Sequence, residues 1–147
     1  MDSSLVEILL VEDDPNDVEL ALHAFQQHRL ANRVRVARDG EEALDYIFCR
    51  GEFADRDPQE RPKVILLDLK LPLVDGLEVL RQVKGNPATR AIPVVVLTSS
   101  SEDRDMVESY ELGVNSYIVK PVDFEQFTES VRQLGWYWAM LNQRPAL

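Results

Sequence analysis

The sequence is poor in the residues that build disulfide frameworks, metal clusters and membrane spans. It holds one cysteine, Cys49, among 147 residues, so no intramolecular disulfide can form and no zinc-ligand spacing exists. A lone cysteine of this kind reads as a small buried apolar residue in a reducing compartment. The two histidines, His23 and His28, fall in the first helical stretch, away from the acidic segments, and read as surface residues. No apolar run reaches a membrane span: Leu5–Val11 is too short, and Met1–Ser4 lacks the basic stretch that opens a signal peptide. Basic residues are also in the minority, with 16 Lys and Arg against 26 Asp and Glu and a formal charge of −10. That balance disfavours contact with nucleic-acid phosphates and anionic lipid. The expectation is a cytoplasmic protein that binds neither nucleic acid nor membrane. Residues 1–147 are expected to form one domain, with an extended C-terminal helix or tail over about 135–147 and no output domain, since the chain suits one core and shows no linker, repeat or second composition regime.

What the chain does have is apolar runs in a repeating order. Val6–Val11 is a short β-type run that stops at Glu12, Asp13 and Asp14. Pro15, with Asp14 as its cap, then opens a helix carrying Leu20, Leu22, Ala24 and Phe25. Val34–Ala37 is a second run closed by Asp39-Gly40, and Glu41–Cys49 has helical composition. Arg50–Pro62 is polar and proline-bearing and reads as an exposed loop. Val64–Leu67 ends at Asp68, and a helix after Gly76 ends near Gly85-Asn86-Pro87. Ile92–Leu97 ends at Thr98, Glu102–Leu112 is helical with Gly113 as its C-cap, and Tyr117–Val119 ends at Lys120-Pro121. A last helix runs from about Asp123 to about Asn142. Short apolar strands alternating with helices predict an α/β fold, a doubly wound five-stranded parallel sheet with five helices.

Ligands of an open parallel sheet bind beyond the carboxyl ends of its strands. Those positions hold Glu12 and Asp13 after the first strand, Asp68 after the third, Thr98 after the fourth and Lys120 after the fifth. Any one acid at a strand end reads equally well as a solvated loop residue or a helix cap. Five polar groups converging on one edge do not. Two carboxylates about 4 Å apart repel by about 4 kcal/mol at an effective dielectric of 20, so a cluster needs a cation. Few carboxylates with hard oxygen donors suit Mg²⁺, which keeps waters and accepts a phosphate oxygen. A divalent metal beside a carboxylate, with Lys and Thr able to donate to phosphoryl oxygens, is an arrangement for phosphoryl transfer.

The segments Leu9-Leu10-Val11-Glu12-Asp13-Asp14, Leu66-Leu67-Asp68-Leu69-Lys70-Leu71-Pro72, Asp75-Gly76, Pro93-Val94-Val95-Val96-Leu97-Thr98 and Tyr117-Ile118-Val119-Lys120-Pro121 resemble the receiver domain of two-component response regulators. The match is ordered and covers nearly the whole chain. The long loop before the third strand, Ser109–Asn115 and the aromatic C-terminal tail are similar to the stand-alone regulators that partner bacterial phytochromes. The resemblance implies a flavodoxin-like fold and a signalling phosphoacceptor rather than an enzyme. Asp68 would take a phosphoryl group from a phosphohistidine of a sensor histidine kinase, with a bacterial phytochrome as the candidate kinase, and would also self-phosphorylate from small phosphodonors and self-dephosphorylate. Glu12, Asp13, Asp68 and the backbone carbonyl of Lys70 would hold Mg²⁺, with Mn²⁺ as an acceptable substitute. Glu12 stands where many members carry Asp, and its extra methylene suggests contact through a water. Lys120 would pair with the phosphoryl oxygens, Thr98 would swing its hydroxyl towards them, and Tyr117 would follow into the vacated space. The competing reading of Tyr117 is a strand residue with its hydroxyl in water. Lys70 and Ser100 would tune the phosphoryl lifetime, and Lys120-Pro121 resembles the family's cis peptide.

The output surface would lie on the domain itself. Phe124, Phe127, Val131, Leu134 and Trp138 recur at three- and four-residue spacing and suit a buried helix face, whereas Trp136, Tyr137 and Met140 lie off it. These three either close the bottom of the domain or join Met106 and Tyr110 in an exposed patch for a partner, and the resembled subfamily favours a homodimer. The main rival is a Mg²⁺-dependent phosphatase of the haloacid dehalogenase class, which needs a second Asp where Lys70 stands. A pseudo-receiver that signals by binding alone is opposed by the intact Asp68, Thr98 and Lys120. A nucleotide-binding reading fails for want of a glycine-rich loop after the first strand.

Overall fold

The computed structural model describes residues 8–27 and 33–120, and beyond them 125, 126, 128, 129 and 132. The elements run β1 (Ile8–Val11), α1 (Pro15–Gln27), β2 (Val34–Ala37), α2 (Gly40–Ile47), β3 (Val64–Leu67), α3 (Gly76–Gly85), β4 (Val94–Thr98), α4 (Asp103–Glu111) and β5 (Ser116–Val119). A single 3₁₀ turn, Gly51–Phe53, stands between α2 and β3. Four α-helices are thus complete among the described residues, against five expected. Glu125, Gln126, Thr128, Glu129 and Arg132 are helical, and the remainder of the fifth helix with its tail lies outside the described residues.

Five parallel strands in the order β2-β1-β3-β4-β5 make the sheet. The chain starts in the middle, steps out to β2, and returns to the other side of β1. That reversal creates the crevice where α/β sheets bind ligands. The central strands β1, β3 and β4 are buried on both faces, which is why they read as unbroken apolar runs. Odd-numbered residues of β1 and β3 (Leu9, Val11, Ile65, Leu67) pack with Leu44 and Ile47 of α2 and Val79, Leu80 and Val83 of α3. The alternate residues Ile8, Leu10, Leu66, Val95 and Leu97 face Ala21, Ala24 and Phe25 of α1. Each fully buried aliphatic chain contributes roughly 1.5–3 kcal/mol, so two such layers hold the sheet rigid beneath its edge.

Side-chain caps start α1, α2 and α3. Asp39 accepts from the Glu42 N–H at 2.7 Å, Asp75 from Glu78 at 3.0 Å, and Asp14 from Asn16 at 2.8 Å. Gly113, at φ +102°, follows α4 in the left-handed conformation that terminates helices. Gly76 serves closeness rather than freedom: a Cβ there would stand 2.2 Å from the Asp68 carbonyl oxygen. Its absence lets α3 begin against the Asp68 backbone.

Two expectations are corrected. Arg50–Pro62 is not simply an exposed loop, because Phe53 is only 8% exposed and belongs to the core. Its ring meets Tyr46 edge-on at 5.2 Å, with the Arg35 guanidinium 4.9 Å above it and Arg56 stacked 3.8 Å over Tyr46. Stacked guanidinium groups bury apolar rings while staying hydrated, so a polar sequence can still anchor a loop. Cys49 is half-buried rather than buried, with φ +55°, and its sulfur accepts from Arg56 at 3.4 Å.

Candidate functional site

The strand register assembles the site. Val11 pairs with Leu67 in adjacent strands, so the next residues, Glu12 and Asp68, emerge side by side, tied by the Asp68 N–H to the Val11 carbonyl at 3.0 Å. Thr98 pairs with Val119, which sets Lys120 beyond the end of β4, and the Lys120 N–H donates to the Thr98 carbonyl at 2.7 Å. Asp13 opens the connection to α1 and is exposed. One carboxylate oxygen from each of Glu12, Asp13 and Asp68 falls within 4.8 Å of the others.

Lys120 crosses to this cluster. Its ammonium donates to Glu12 Oε1 at 2.7 Å and Asp17 Oδ2 at 2.7 Å, and lies 3.3 Å from Asp68 Oδ2. The Glu12 side chain is 4% exposed and that of Asp68 is 6%, so both charges have left most of their water and depend on this contact. Burial pushes the Glu12 carboxyl up to about 7; the bond from Lys120 opposes that shift, and the negative charge of Asp68 reinforces it. One ammonium shared among three carboxylates cannot fully compensate any of them. Burial pulls Lys120 down, but the bonds to Asp17 and Glu12 and the charge of Asp68 outweigh it and hold the ammonium above its ordinary value. The second oxygen of Asp68 accepts from the Lys70 N–H at 3.1 Å.

The groups open onto a cleft of about 460 Å³ that Asp14, Lys70, Leu97 and Ser99 also line. Three carboxylate oxygens this close, with one ammonium among them in the described residues, are a fit for a hard divalent cation.

Thr98 is fully buried, and its hydroxyl accepts from the Ser100 N–H at 3.3 Å. Ser100 is buried too, with its hydroxyl committed to Asp105 of α4 at 2.5 Å. Tyr117 does not leave its hydroxyl in water: the O–H donates to the Ser100 carbonyl at 2.9 Å, and the half-buried ring packs on the core. Burial raises its pKa, the Ser100 bond lowers it, and the acids Asp105, Glu102 and Asp68 raise it further. The Thr98–Ser100–Tyr117 chain thus joins the end of β4 to β5 and to the first turn of α4.

Glu12, Asp13, Asp68 and Lys120 are therefore brought together as the sequence indicates, and Thr98 stands at the neighbouring strand end. The reading missed Asp17, whose only sequence signal was an acid in the first turn of a helix that starts at this edge. Met106 is half-buried and Tyr110 is 51% exposed on α4. Pro121, Trp136, Tyr137 and Met140 lie outside the described residues. His23 sits exposed on α1, bonded to Gln27 at 3.4 Å.

A parallel sheet in this order, with an acidic cluster and a lysine at its switch point, is the arrangement of a receiver-type α/β domain. The chain belongs to the response regulator receiver domain family, whose model matches residues 8–132. It is 37% identical to the response regulator Rcp1 of Synechocystis over 95% of this chain and 92% of that protein. The manganese-bound form of Rcp1 superposes with a TM-score of 0.82, covering 96% of this chain and 99% of that one. The bacteriophytochrome response regulator AtBRR is 58% identical with a TM-score of 0.74, covering 95% and 99% of the two chains. The phosphorylated cyanobacterial phytochrome response regulator RcpA, 38% identical, gives a TM-score of 0.83 over 96% and 99%. Receiver-domain response regulators are signalling phosphoacceptors, and this chain is one of them. No described helix is long and apolar enough to cross a membrane.

Proposed function

We propose that Asp68 accepts a phosphoryl group from the phosphohistidine of a sensor histidine kinase. The observation that carries this reading is Lys120, held at 3.3 Å from one oxygen of Asp68 within a cluster of three carboxylates. The Asp68 oxygen attacks phosphorus, the P–N bond breaks with its electron pair going to the imidazole, and an acyl phosphate results. Bound Mg²⁺, with Mn²⁺ able to replace it, supplies charge neutralisation of the phosphoryl oxygens, and Glu12, Asp13, Asp68 and the Lys70 carbonyl would hold it. Lys120 contributes the second positive charge. The Thr98 hydroxyl turns from Ser100 to the phosphoryl group, and Tyr117 and α4 respond. A phosphoryl group adds roughly −1.5 to −2 charge. Two charge-assisted contacts at about 1.5–3 kcal/mol each approach the roughly 5.5 kcal/mol that inverts a 1:99 equilibrium.

The likeness to phytochrome response regulators at up to 58% identity supports a bacterial phytochrome as the kinase. The acidic charge supports a cytoplasmic location and protein partners rather than nucleic acid or anionic lipid, and the receiver match over residues 8–132 supports one receiver domain across this chain. Met106 and Tyr110, with Trp136, Tyr137 and Met140, are assigned to a partner surface, used in a homodimer. Lys70, exposed on the cleft, and Ser100 set the phosphoryl lifetime. Incubation with acetyl phosphate and Mg²⁺ is expected to add one phosphoryl mass, lost with EDTA and in Asp68→Asn. No addition under any condition would leave a binding-only module.

A further inference from the structure

We infer that Asp17 is a positioning residue that holds Lys120 in reserve and competes with the phosphoryl group for it. The inference rests on the proposed phosphorylation of Asp68. An ammonium has three protons, and here all three are directed at carboxylates: Glu12 and Asp17 at 2.7 Å each, Asp68 at 3.3 Å. The residue that matters most for phosphoryl transfer is thus the most distant of the three. Asp68 commits one of its oxygens to the acyl phosphate, so a phosphoryl oxygen drawing Lys120 closer competes with the two shorter bonds, to Glu12 and Asp17.

Exposure decides which of the two yields. The Glu12 side chain is 4% exposed, so losing its ammonium would strand a buried charge. The Asp17 side chain is 35% exposed and can pass to water at little cost. Its place explains its reach. Asp17 stands in the first turn of α1, whose N-terminus Asp14 caps beside the cluster, and it lines the same cleft as Asp68. Asp17 therefore keeps Lys120 extended across the cleft while Asp68 is unmodified and releases it as charge accumulates at Asp68.

The test is the affinity of the full chain for beryllium fluoride, a phosphoryl mimic, at saturating Mg²⁺. Removing a half-exposed competitor is expected to tighten binding in Asp17→Asn by roughly threefold to fivefold. Asp17→Glu, which keeps the competing charge, is expected to bind within about twofold of the wild type. A merely structural role would weaken binding in both variants. Equal or weaker binding in Asp17→Asn, or tightening in Asp17→Glu to the same degree, overturns the inference. If the wild type binds no beryllium fluoride, the failure lies instead with the phosphoacceptor reading.

Discussion

Divalent-cation affinity is expected to fall steeply on mild acidification, and the cause is Glu12. Burial raises its carboxyl to about 7 despite the bond from Lys120, while a metal ligand must be ionised. With that midpoint, about three-quarters of the molecules carry ionised Glu12 at about pH 7.5, but only about 3% at about pH 5.5, so the apparent Mg²⁺ affinity drops roughly 25-fold. An ordinary glutamate would lose only about one-tenth of its charge over the same range. The sign for folding is opposite. Because the folded-state value lies above the ordinary 4.5, the contribution of Glu12 to metal-free stability is fully present below 4.5 and is lost as pH rises to about 7. Metal-free Glu12→Gln is therefore expected to gain stability relative to the wild type as pH rises through about 7. Calorimetric Mg²⁺ titrations from about pH 5.5 to about pH 8, with urea unfolding in EDTA alongside, measure both quantities. An affinity that stays flat to about pH 5.5 would refute the reasoning, because Glu12 would then be ionised throughout.

Other outcomes follow from the packing around the site. Gly76→Ala is expected to destabilise by more than about 2 kcal/mol in urea unfolding, since its Cβ would meet the Asp68 carbonyl at 2.2 Å and the Leu69 Cα at 2.5 Å. Phe53→Ala is expected to cost about 3 kcal/mol by the same assay, whereas a truly exposed loop residue would cost less than about 0.5 kcal/mol. Tyr117→Phe removes the bond to the Ser100 carbonyl and is expected to speed hydrogen exchange in the first turn of α4, with global stability lowered by only about 1 kcal/mol.

The sheet was legible because a central parallel strand has to be apolar on both faces. Ile8–Val11, Val64–Leu67 and Val94–Thr98 announce themselves, and so do the polar residues at which they stop. Parallel topology then places every strand end on one edge, so Glu12, Asp68, Thr98 and Lys120 could be gathered from the sequence with no coordinates. Asp17 could not. An acid in the first turn of a helix is ordinary complementation of the helix dipole, and its partner lies 103 residues away. Phe53 was hidden for a related reason: its neighbours are polar, and its burial depends on Arg35 of β2 and Tyr46 of α2. The bond from Tyr117 to a backbone carbonyl leaves no trace in side-chain identity. Residue type marks what a position can do, and register decides what it meets.

The most direct test of the account is to locate the acyl phosphate. After reaction with acetyl phosphate and Mg²⁺, borohydride reduction converts a phosphorylated aspartate to homoserine, which peptide mass spectrometry assigns to a position. The account predicts homoserine at position 68 alone. Homoserine at position 13, or at any acid other than Asp68, would contradict it.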